Sequence, residues 1–198
     1  SRKPDQTMLQ LPIYLDNNAT TPMDPRVLEA MLPFFLDNFG NAASRSHKFG
    51  WVAEEAVDYA REQVAKLINA DSKEIIFTSG ATEADNLALK GVFEMYASKG
   101  NHIITCTTEH KAILDSCKHI EKLGGEVTYL SVKEDGLFDL AELEKAITPK
   151  TILISVMYAN NETGVIQPVK EISAIAKKHG VLFMTDGTQA VGKIKVDV

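Results

Sequence analysis

The feature that most constrains the fold is a regular alternation of apolar runs with segments of helical periodicity. Five runs have the length and side chains typical of strands, and they cover residues 74–78, 102–107, 126–132, 151–158 and 181–185. Helical patterns lie between most of these runs, and Gly100, Gly124-Gly125 and Gly180 stand just before three of them. This order predicts an α/β fold with a mainly parallel sheet and helices on both faces.

Two more helices are predicted ahead of the alternating region. Asp24-Pro25 is typical of a helix start, with an N-cap residue followed by proline at the first helical position. A longer amphipathic helix follows and is expected to end near residues 69–72. Its apolar face comprises Ala53, Ala56, Val57, Ala60, Val64, Leu67 and Ile68.

Composition and charge exclude several classes of function. The chain is 44% hydrophobic with a net charge of −6, and it contains no block of lysine or arginine. We therefore expect neither nucleic-acid binding nor association with an anionic membrane. No apolar stretch has the length of a membrane span, residues 1–6 lack a signal-peptide core, and no metal-binding motif occurs. Cys106 and Cys117 fit buried thiols in a reducing cytoplasm, so we expect a cytoplasmic protein without a metal site.

A run of small residues, Ser79-Gly80-Ala81-Thr82, joins the first apolar run to a helical segment. The first amides of a helix lack internal acceptors and carry partial positive charge, so a phosphate could bind there. Small side chains would let the phosphate approach, and the two hydroxyl groups could donate to it. An ordinary capped turn between a strand and a helix fits the same residues. Both interpretations stay open at this point.

Polar residues follow the other apolar runs at corresponding positions. In a parallel sheet the carboxyl ends of the strands meet at one edge, where ligands bind. One pocket could therefore collect a phosphate cradle, an imidazole, an amide pair and a carboxylate. The residues concerned are Thr108, Glu109, His110, Asn160, Asn161, Glu162, Asp186, Thr188 and Gln189.

Each of these side chains also has a purely structural interpretation. Asp186 could cap a turn, or its carboxylate could hold a protonated heterocyclic nitrogen. His110 could bond the backbone at a helix start, or it could stack on a flat cofactor and transfer protons. Asn161 could form an Asx-turn, or its amide could donate to a phenolate or carboxylate oxygen.

Six motifs in order resemble the N-terminal half of a cysteine desulfurase of the NifS/IscS type. These are pyridoxal 5'-phosphate (PLP) enzymes of the class V aminotransferase group, with the aspartate-aminotransferase-like fold (fold type I). The motifs are Tyr14-Leu15-Asp16-Asn17-Asn18-Ala19-Thr20-Thr21-Pro22, Phe39-Gly40-Asn41, Thr78-Ser79-Gly80-Ala81-Thr82-Glu83, Thr108-Glu109-His110-Lys111-Ala112, Asn160-Asn161-Glu162-Thr163-Gly164 and Asp186-Gly187-Thr188-Gln189. The resemblance implies an N-terminal extension at residues 1–14 and an incomplete PLP-binding large domain at residues 15–198.

The resemblance also implies roles for individual residues. Ala81 and Thr82 would bind the cofactor phosphate, His110 would stack on the ring and assist proton transfer, and Asp186 would pair with the pyridinium nitrogen. Asn161 would contact the substrate carboxylate beside the cofactor. Gln189 would contact the ring hydroxyl of the cofactor, while Asn17 and Ala19 would border the substrate pocket.

The implied reaction removes sulfur from L-cysteine and gives L-alanine and an enzyme persulfide. The persulfide would supply iron–sulfur cluster assembly or a related sulfur pathway, through a sulfur-acceptor or scaffold protein and from a homodimer. In the family, the Schiff-base lysine and the persulfide cysteine lie beyond residue 198, and neither Lys193 nor Lys195 has the right context. We therefore expect the isolated chain to be inactive. Two alternatives are another class V enzyme, such as a selenocysteine lyase or an aminotransferase, and a non-catalytic scaffold in sulfur transfer.

Overall fold

The computed structural model describes residues 11–198, so most of the predicted N-terminal extension lies outside the described residues. Its sheet is parallel throughout and has the strand order β2-β1-β3-β4. The strands are β1 (His102–Cys106), β2 (Glu126–Leu130), β3 (Thr151–Ser155) and β4 (Leu182–Met184). The predicted parallel sheet is confirmed, although each strand is shorter than its apolar run.

Helices cover both faces of the sheet, as the alternation predicts. The six helices are α1 (Pro25–Leu36), α2 (Lys48–Ile68), α3 (Ala81–Met95), α4 (Lys111–Lys122), α5 (Leu140–Ala146) and α6 (Val169–His179). Residues of α3 and α4 pack with Ile103 and Leu153 in one core. Residues of α5 and α6 pack with Ile104 and Ile154 in the other. Because neighbouring residues of a strand point to opposite faces, β1 and β3 contribute to both cores.

The inner strands are buried along their whole length, which explains their near-continuous apolar sequence. His102, the first residue of β1, is a large polar side chain among these apolar residues and is only 5% exposed. Its Nδ1 lies 2.7 Å from Thr151 Oγ1 on β3, and its Nε2 lies 2.9 Å from Thr128 Oγ1 on β2. Burial lowers the pKa of His102, so the ring is neutral and bridges three strands through hydrogen bonds.

Helix α1 begins, and helix α2 ends, where the sequence predicts. The Asp24 carboxylate accepts from the Arg26 amide at 2.8 Å, which caps α1 one residue before Pro25. Asn69 ends α2 in the left-handed conformation, with φ of 62°. Within the described chain, α1 has no buried residue, and α2 buries only Gly50, Ala53 and Ala65. Much of the apolar face that these helices share is therefore exposed.

The predicted strand at residues 74–78 is wrong. Ser72–Glu74 forms a short 3-10 helix, and residues 75–78 run without regular structure. Ile76 is 73% exposed and Phe77 is 48% exposed. A strand exists only beside a partner, and no strand within residues 11–198 lies against this segment.

The connections create a crevice between β1 and β3. From β1 the chain passes through α4 to β2 on one side, and it returns through α5 to β3 on the other side of β1. The connections that leave β1 and β3 therefore diverge at their carboxyl ends. Such a switch point is where open α/β sheets bind ligands.

No helix in the described part of the chain combines the length and the apolar character that crossing a membrane requires.

The two isoleucines at positions 154 and 76 test this description of the core. Ile154 is fully buried, so we expect Ile154→Ala to lower the free energy of unfolding by about 2–5 kcal/mol. Ile76→Ala is expected to cost less than about 1 kcal/mol, because its side chain is already in water. Urea unfolding followed by circular dichroism measures both values. Equal losses for the two variants would mean that residues 75–78 pack as a strand after all.

Candidate functional site

A pocket of about 350 Å³ opens at the switch point and collects most of the predicted site residues. Its lining comprises Asn18, Ala19, Ala81, His110, Met157, Ala159, Asn161, Asp186, Thr188 and Gln189. Six of the eight residues to which the resemblance assigns a role are in this lining, while Asn17 and Thr82 are not. Asn17 lies in the turn that carries Asn18 and Ala19, and Thr82 directly follows Ala81. The roles assigned to these residues remain predictions.

The small-residue run contributes a helix start to the pocket. Helix α3 begins at Ala81, and its N-cap residue Gly80 has no side chain with which to bond the first amides. A Cβ atom placed on Gly80 would meet no atom within 4 Å, so the space in front of the helix is open. The Ser79 hydroxyl does not serve as the donor expected from the sequence. It donates to Glu83 Oε2 at 2.6 Å, as the Ser79 amide also does.

His110 combines the two interpretations that the sequence left open. It is the N-cap residue of α4, and its Nδ1 accepts a hydrogen bond from the Ala112 amide at 3.1 Å. With Nδ1 as the acceptor, the proton of the neutral ring is on Nε2. The backbone contact therefore orients a ring that lines the pocket and defines which nitrogen carries the proton.

Asp186 is a rigidly held carboxylate at the end of β4. It is 8% exposed, and its Oδ1 accepts from the Thr188 amide at 2.9 Å and from the Thr188 hydroxyl at 2.6 Å. Its carbonyl oxygen also accepts from the Tyr158 amide at 2.9 Å. Residues 11–198 make no hydrogen bond to Oδ2. The turn-capping interpretation is therefore correct for one oxygen, and the other is available to a ligand in the pocket.

Gln189 attaches the N-terminal loop to the pocket. Its Nε2 donates to the Asn18 carbonyl at 2.9 Å, and its Oε1 accepts from Lys193 Nζ at 2.5 Å. The loop itself is a turn in which the Ala19 and Thr20 amides donate to the Asp16 carbonyl. This contact brings Asn18 and Ala19 to the pocket from a part of the chain that is distant in sequence.

The Asx-turn proposed for Asn161 is made by its neighbour Asn160. Asn160 Oδ1 accepts from the amides of Glu162 and Thr163 at 2.9 and 2.8 Å. Its Nδ2 donates to the Thr108 carbonyl at 2.9 Å, across the crevice. Asn160 is buried, whereas Asn161 is half-buried and lines the pocket. The two adjacent amides thus have different functions, one in holding the loop and one in facing the pocket.

Two buried carboxyl groups, Asp85 and Glu109, lie close to Asp186. Asp85 is 4% exposed, and its pKa is raised to about 6 by burial and by the negative charge of Asp186, while His110 opposes the rise. The sequence analysis missed Asp85. Its spacing of four residues from the buried Leu89 is the signal that it faces the sheet.

The two cysteines do not reach the pocket lining. Cys106 is the last residue of β1 and Cys117 lies within α4, and both are buried free thiols. Burial raises the pKa of Cys117 to about 12, which keeps it as an unreactive thiol. Within residues 11–198, no cluster of three histidine, cysteine, aspartate or glutamate side chains is placed to hold a metal ion.

A parallel α/β sheet with a polar pocket at its switch point is typical of proteins that bind a ligand at that position. Residues 13–198 match the family model for aminotransferase class-V. The chain therefore belongs to the class V aminotransferase family.

Curated relatives with high identity share one description. The chain is 59% identical over 190 residues to "Cysteine desulfurase IscS" of Anaeromyxobacter sp. (strain K), which covers 96% of this chain and 47% of the relative. It is 58% identical over 195 residues to the protein of the same name in Rickettsia massiliae (strain Mtu5), with 98% of this chain and 48% of the relative covered. The chain thus spans about half the length of the curated relatives it matches.

Solved structures agree with the fold. A structure titled "NIFS-LIKE PROTEIN" superimposes with a TM-score of 0.91 at 42% identity, covering 94% of this chain and 51% of that one. A NifS-like protein from Rickettsia africae ESF-5 gives a TM-score of 0.83 at 32% identity, with 93% and 50% of the two chains covered. The predicted NifS/IscS resemblance and the fold class are confirmed.

The two neighbouring asparagines provide a test of the loop assignment. Asn160→Ala leaves two loop amides and the Thr108 carbonyl without their partner, so we expect the free energy of unfolding to fall by about 1–3 kcal/mol. Asn161→Ala is expected to change it by less than about 0.5 kcal/mol. Urea unfolding of both variants gives the comparison. A larger loss for Asn161→Ala would contradict the assignment of the Asx-turn to Asn160.

Proposed function

We propose that this chain is the PLP-binding part of a cysteine desulfurase, which removes sulfur from L-cysteine. The observation that carries the proposal is one pocket bordered by an anion-binding helix start, an oriented histidine and a buried carboxylate. The identity of 58–59% to curated cysteine desulfurases supports the same assignment. Because the chain spans about half of those relatives, the activity is proposed for the whole protein.

The donor set fits the three chemically distinct parts of PLP. The uncapped amides at Ala81 and Thr82 suit the phosphate, since a helix N-terminus favours a dianion. Asp186 Oδ2, which has no partner in the described chain, suits the protonated ring nitrogen. Gln189 suits the ring hydroxyl and His110 suits the face of the ring. When bound, PLP supplies an electron-withdrawing ring that stabilises negative charge at the α-carbon of an amino acid.

Several residues of the chain would then each have a separate role around that ring. Asp186, fixed by Thr188, would hold the protonated ring nitrogen through a charge-assisted hydrogen bond. His110, whose Nδ1 accepts from the Ala112 amide, would have Nε2 free to take part in proton transfer. Asn161, with Asn17 and Ala19 on the opposite loop, would orient the carboxylate of the substrate. Each role requires only side chains that lie in or directly beside the pocket.

L-cysteine is the proposed substrate. A structure titled "SspA in complex with cysteine" superimposes with a TM-score of 0.90 at 39% identity, covering 93% of this chain and 53% of that one. From the resemblance to cysteine desulfurases of the NifS/IscS type we further propose a cytoplasmic homodimer that passes sulfur to an acceptor or scaffold protein, for iron–sulfur cluster assembly or a related use. The activity is tested on a protein of the relatives' full length, supplied with PLP and L-cysteine. Release of L-alanine is expected, together with sulfide once an added thiol such as dithiothreitol reduces the enzyme persulfide, and release of alanine only from selenocysteine would favour the lyase.

PLP binding by the chain itself is tested through Asp186. We expect Asp186→Ala to weaken PLP binding by about tenfold or more, because a charge-assisted hydrogen bond to the ring nitrogen is lost. Asp115→Ala, on the exposed side of α4, is the matched control and should bind as the unmodified chain does. Quenching of protein fluorescence during PLP titration measures the affinities. Equal binding by the Asp186 variant and the control would reject this carboxylate as a cofactor contact.

A further inference from the structure

Glu109 connects the two strand ends that form the crevice. It lies between Thr108 and His110 in the segment after β1, and it is 6% exposed. Its Oε1 accepts a hydrogen bond from the Met157 amide at 2.7 Å, in the segment that follows β3. His110 and Met157 both line the pocket. One buried side chain thus joins two walls of the pocket that are separated by 48 positions in sequence.

The connection is the second of two across the same gap. The Asn160 side chain donates to the Thr108 carbonyl, one residue before Glu109. Asn160 follows β3 and bonds to the segment after β1, whereas Glu109 follows β1 and bonds to the segment after β3. Each segment thus contributes one side chain that bonds to the backbone of the other. The Asn160 contact joins two residues that do not line the pocket, whereas the Glu109 contact reaches the amide of Met157, which does.

The other oxygen of Glu109 is in an environment that disfavours a charge. Its Oε2 is buried and has no hydrogen-bond partner in the described part of the chain. An ionised oxygen without partners is costly to bury. Burial raises the pKa of Glu109 to about 8, the Met157 amide opposes this rise, and the charges of Asp186 and Asp85 add to it. Cys117 of α4 faces the same region, and its own pKa is raised further by the Glu109 charge.

We propose that Glu109 is a positioning residue that fixes the His110 and Met157 sides of the pocket relative to each other, and that it does so as an uncharged carboxylic acid. The expected effect of Glu109 on PLP binding rests on the proposed function, whereas the hydrogen bond of Glu109 to Met157 and its protonation state do not. In the uncharged form, Glu109 keeps the Met157 amide bonded without placing another negative charge beside Asp186. The reacting groups around the pocket are then positioned by a side chain that does not itself touch the ligand.

Amide hydrogen exchange at Met157 tests the contact directly in the full chain without added cofactor. We expect Glu109→Ala to speed exchange of this amide by about tenfold or more, because its acceptor is removed. Glu109→Gln keeps an acceptor oxygen of the same reach and should stay within about threefold of the unmodified chain. Glu134→Gln, in the exposed loop after β2, is the matched control. Unchanged exchange in Glu109→Ala would overturn the positioning role.

The pH dependence of stability tests the uncharged state. Between about pH 5 and pH 8 the unfolded chain has lost the proton of Glu109 while the folded chain retains it, so rising pH favours unfolding. Glu109→Gln lacks this effect. The difference in melting temperature between Glu109→Gln and the unmodified chain should therefore shift in favour of the variant by about 3 °C or more between pH 5 and pH 8, and it should not change further above pH 8. For Asp85→Asn the gain should stop near pH 6, where the pKa of Asp85 lies. A constant difference for Glu109→Gln at every pH would overturn the uncharged state.

PLP titration then separates this inference from the proposed function. At neutral pH we expect Glu109→Ala to weaken PLP binding by about tenfold, and Glu109→Gln to bind nearly as the unmodified chain does. Normal PLP binding by Glu109→Ala would overturn the role in positioning the pocket. An unmodified chain that binds no PLP would reject the proposed function instead, and the exchange and pH measurements would still decide whether Glu109 acts as described.

Discussion

The parallel pairing of β1 with β3 is the interaction on which the rest of the structure depends. These two strands are buried from end to end and contribute side chains to both hydrophobic cores. After β1 the chain continues through α4 to β2 on one side, and after β3 it continues through α6 to β4 on the other side. The segments that follow the two carboxyl ends therefore diverge. The crevice is therefore a consequence of strand order, and the polar residues after each strand meet there because the strands are parallel.

Opposite charges face that crevice from two of its walls, which suits a ligand with an anionic group at one end and a cationic group at the other. The α3 start presents uncapped amides with partial positive charge, while Asp186 provides a fixed negative charge on another wall. Asp85 and Glu109 lie behind this wall, and burial favours the protonated form of each. Burying three ionised carboxylates together would be unfavourable, and the raised pKa values of Asp85 and Glu109 reduce the negative charge beside Asp186.

Much of the fold follows from local patterns, and the differences have identifiable physical causes. The four strands of the sheet and the helices between them are predictable because hydrophobic periodicity reflects burial on two faces. The run at residues 74–78 has the same local pattern, but a strand also depends on a partner, which local sequence does not encode. The switch of roles between Asn160 and Asn161 has the same origin. Two identical side chains differ only in which one the turn directs toward the Thr108 carbonyl.

The sequence predicts which segments form the site, but it does not predict the contacts and protonation states of the buried carboxyl groups. His110, Asp186 and Glu109 could all be found because ligands bind after the carboxyl ends of parallel strands. The contact of Glu109 with the Met157 amide depends on a distance between two strand ends, and only the assembled sheet defines that distance. The pKa of Glu109 is raised mainly by its burial in the assembled sheet, with smaller contributions from Asp186 and from Asp85, a residue of a third element. Each of these properties arises from several segments at once, so no single motif contains it.

The loop that bears Asn18 and Ala19 is the least firmly held wall of the pocket. Residues 15–20 are exposed, and the contact that reaches the pocket is the hydrogen bond from Gln189 to the Asn18 carbonyl. One exposed hydrogen bond contributes about 1 kcal/mol, which is comparable with the entropy lost when a single residue is ordered. The hydrogen bond to this loop therefore contributes little more than the ordering of the loop costs. The walls at His110, Met157 and Asp186, in contrast, are held by several backbone hydrogen bonds between buried segments.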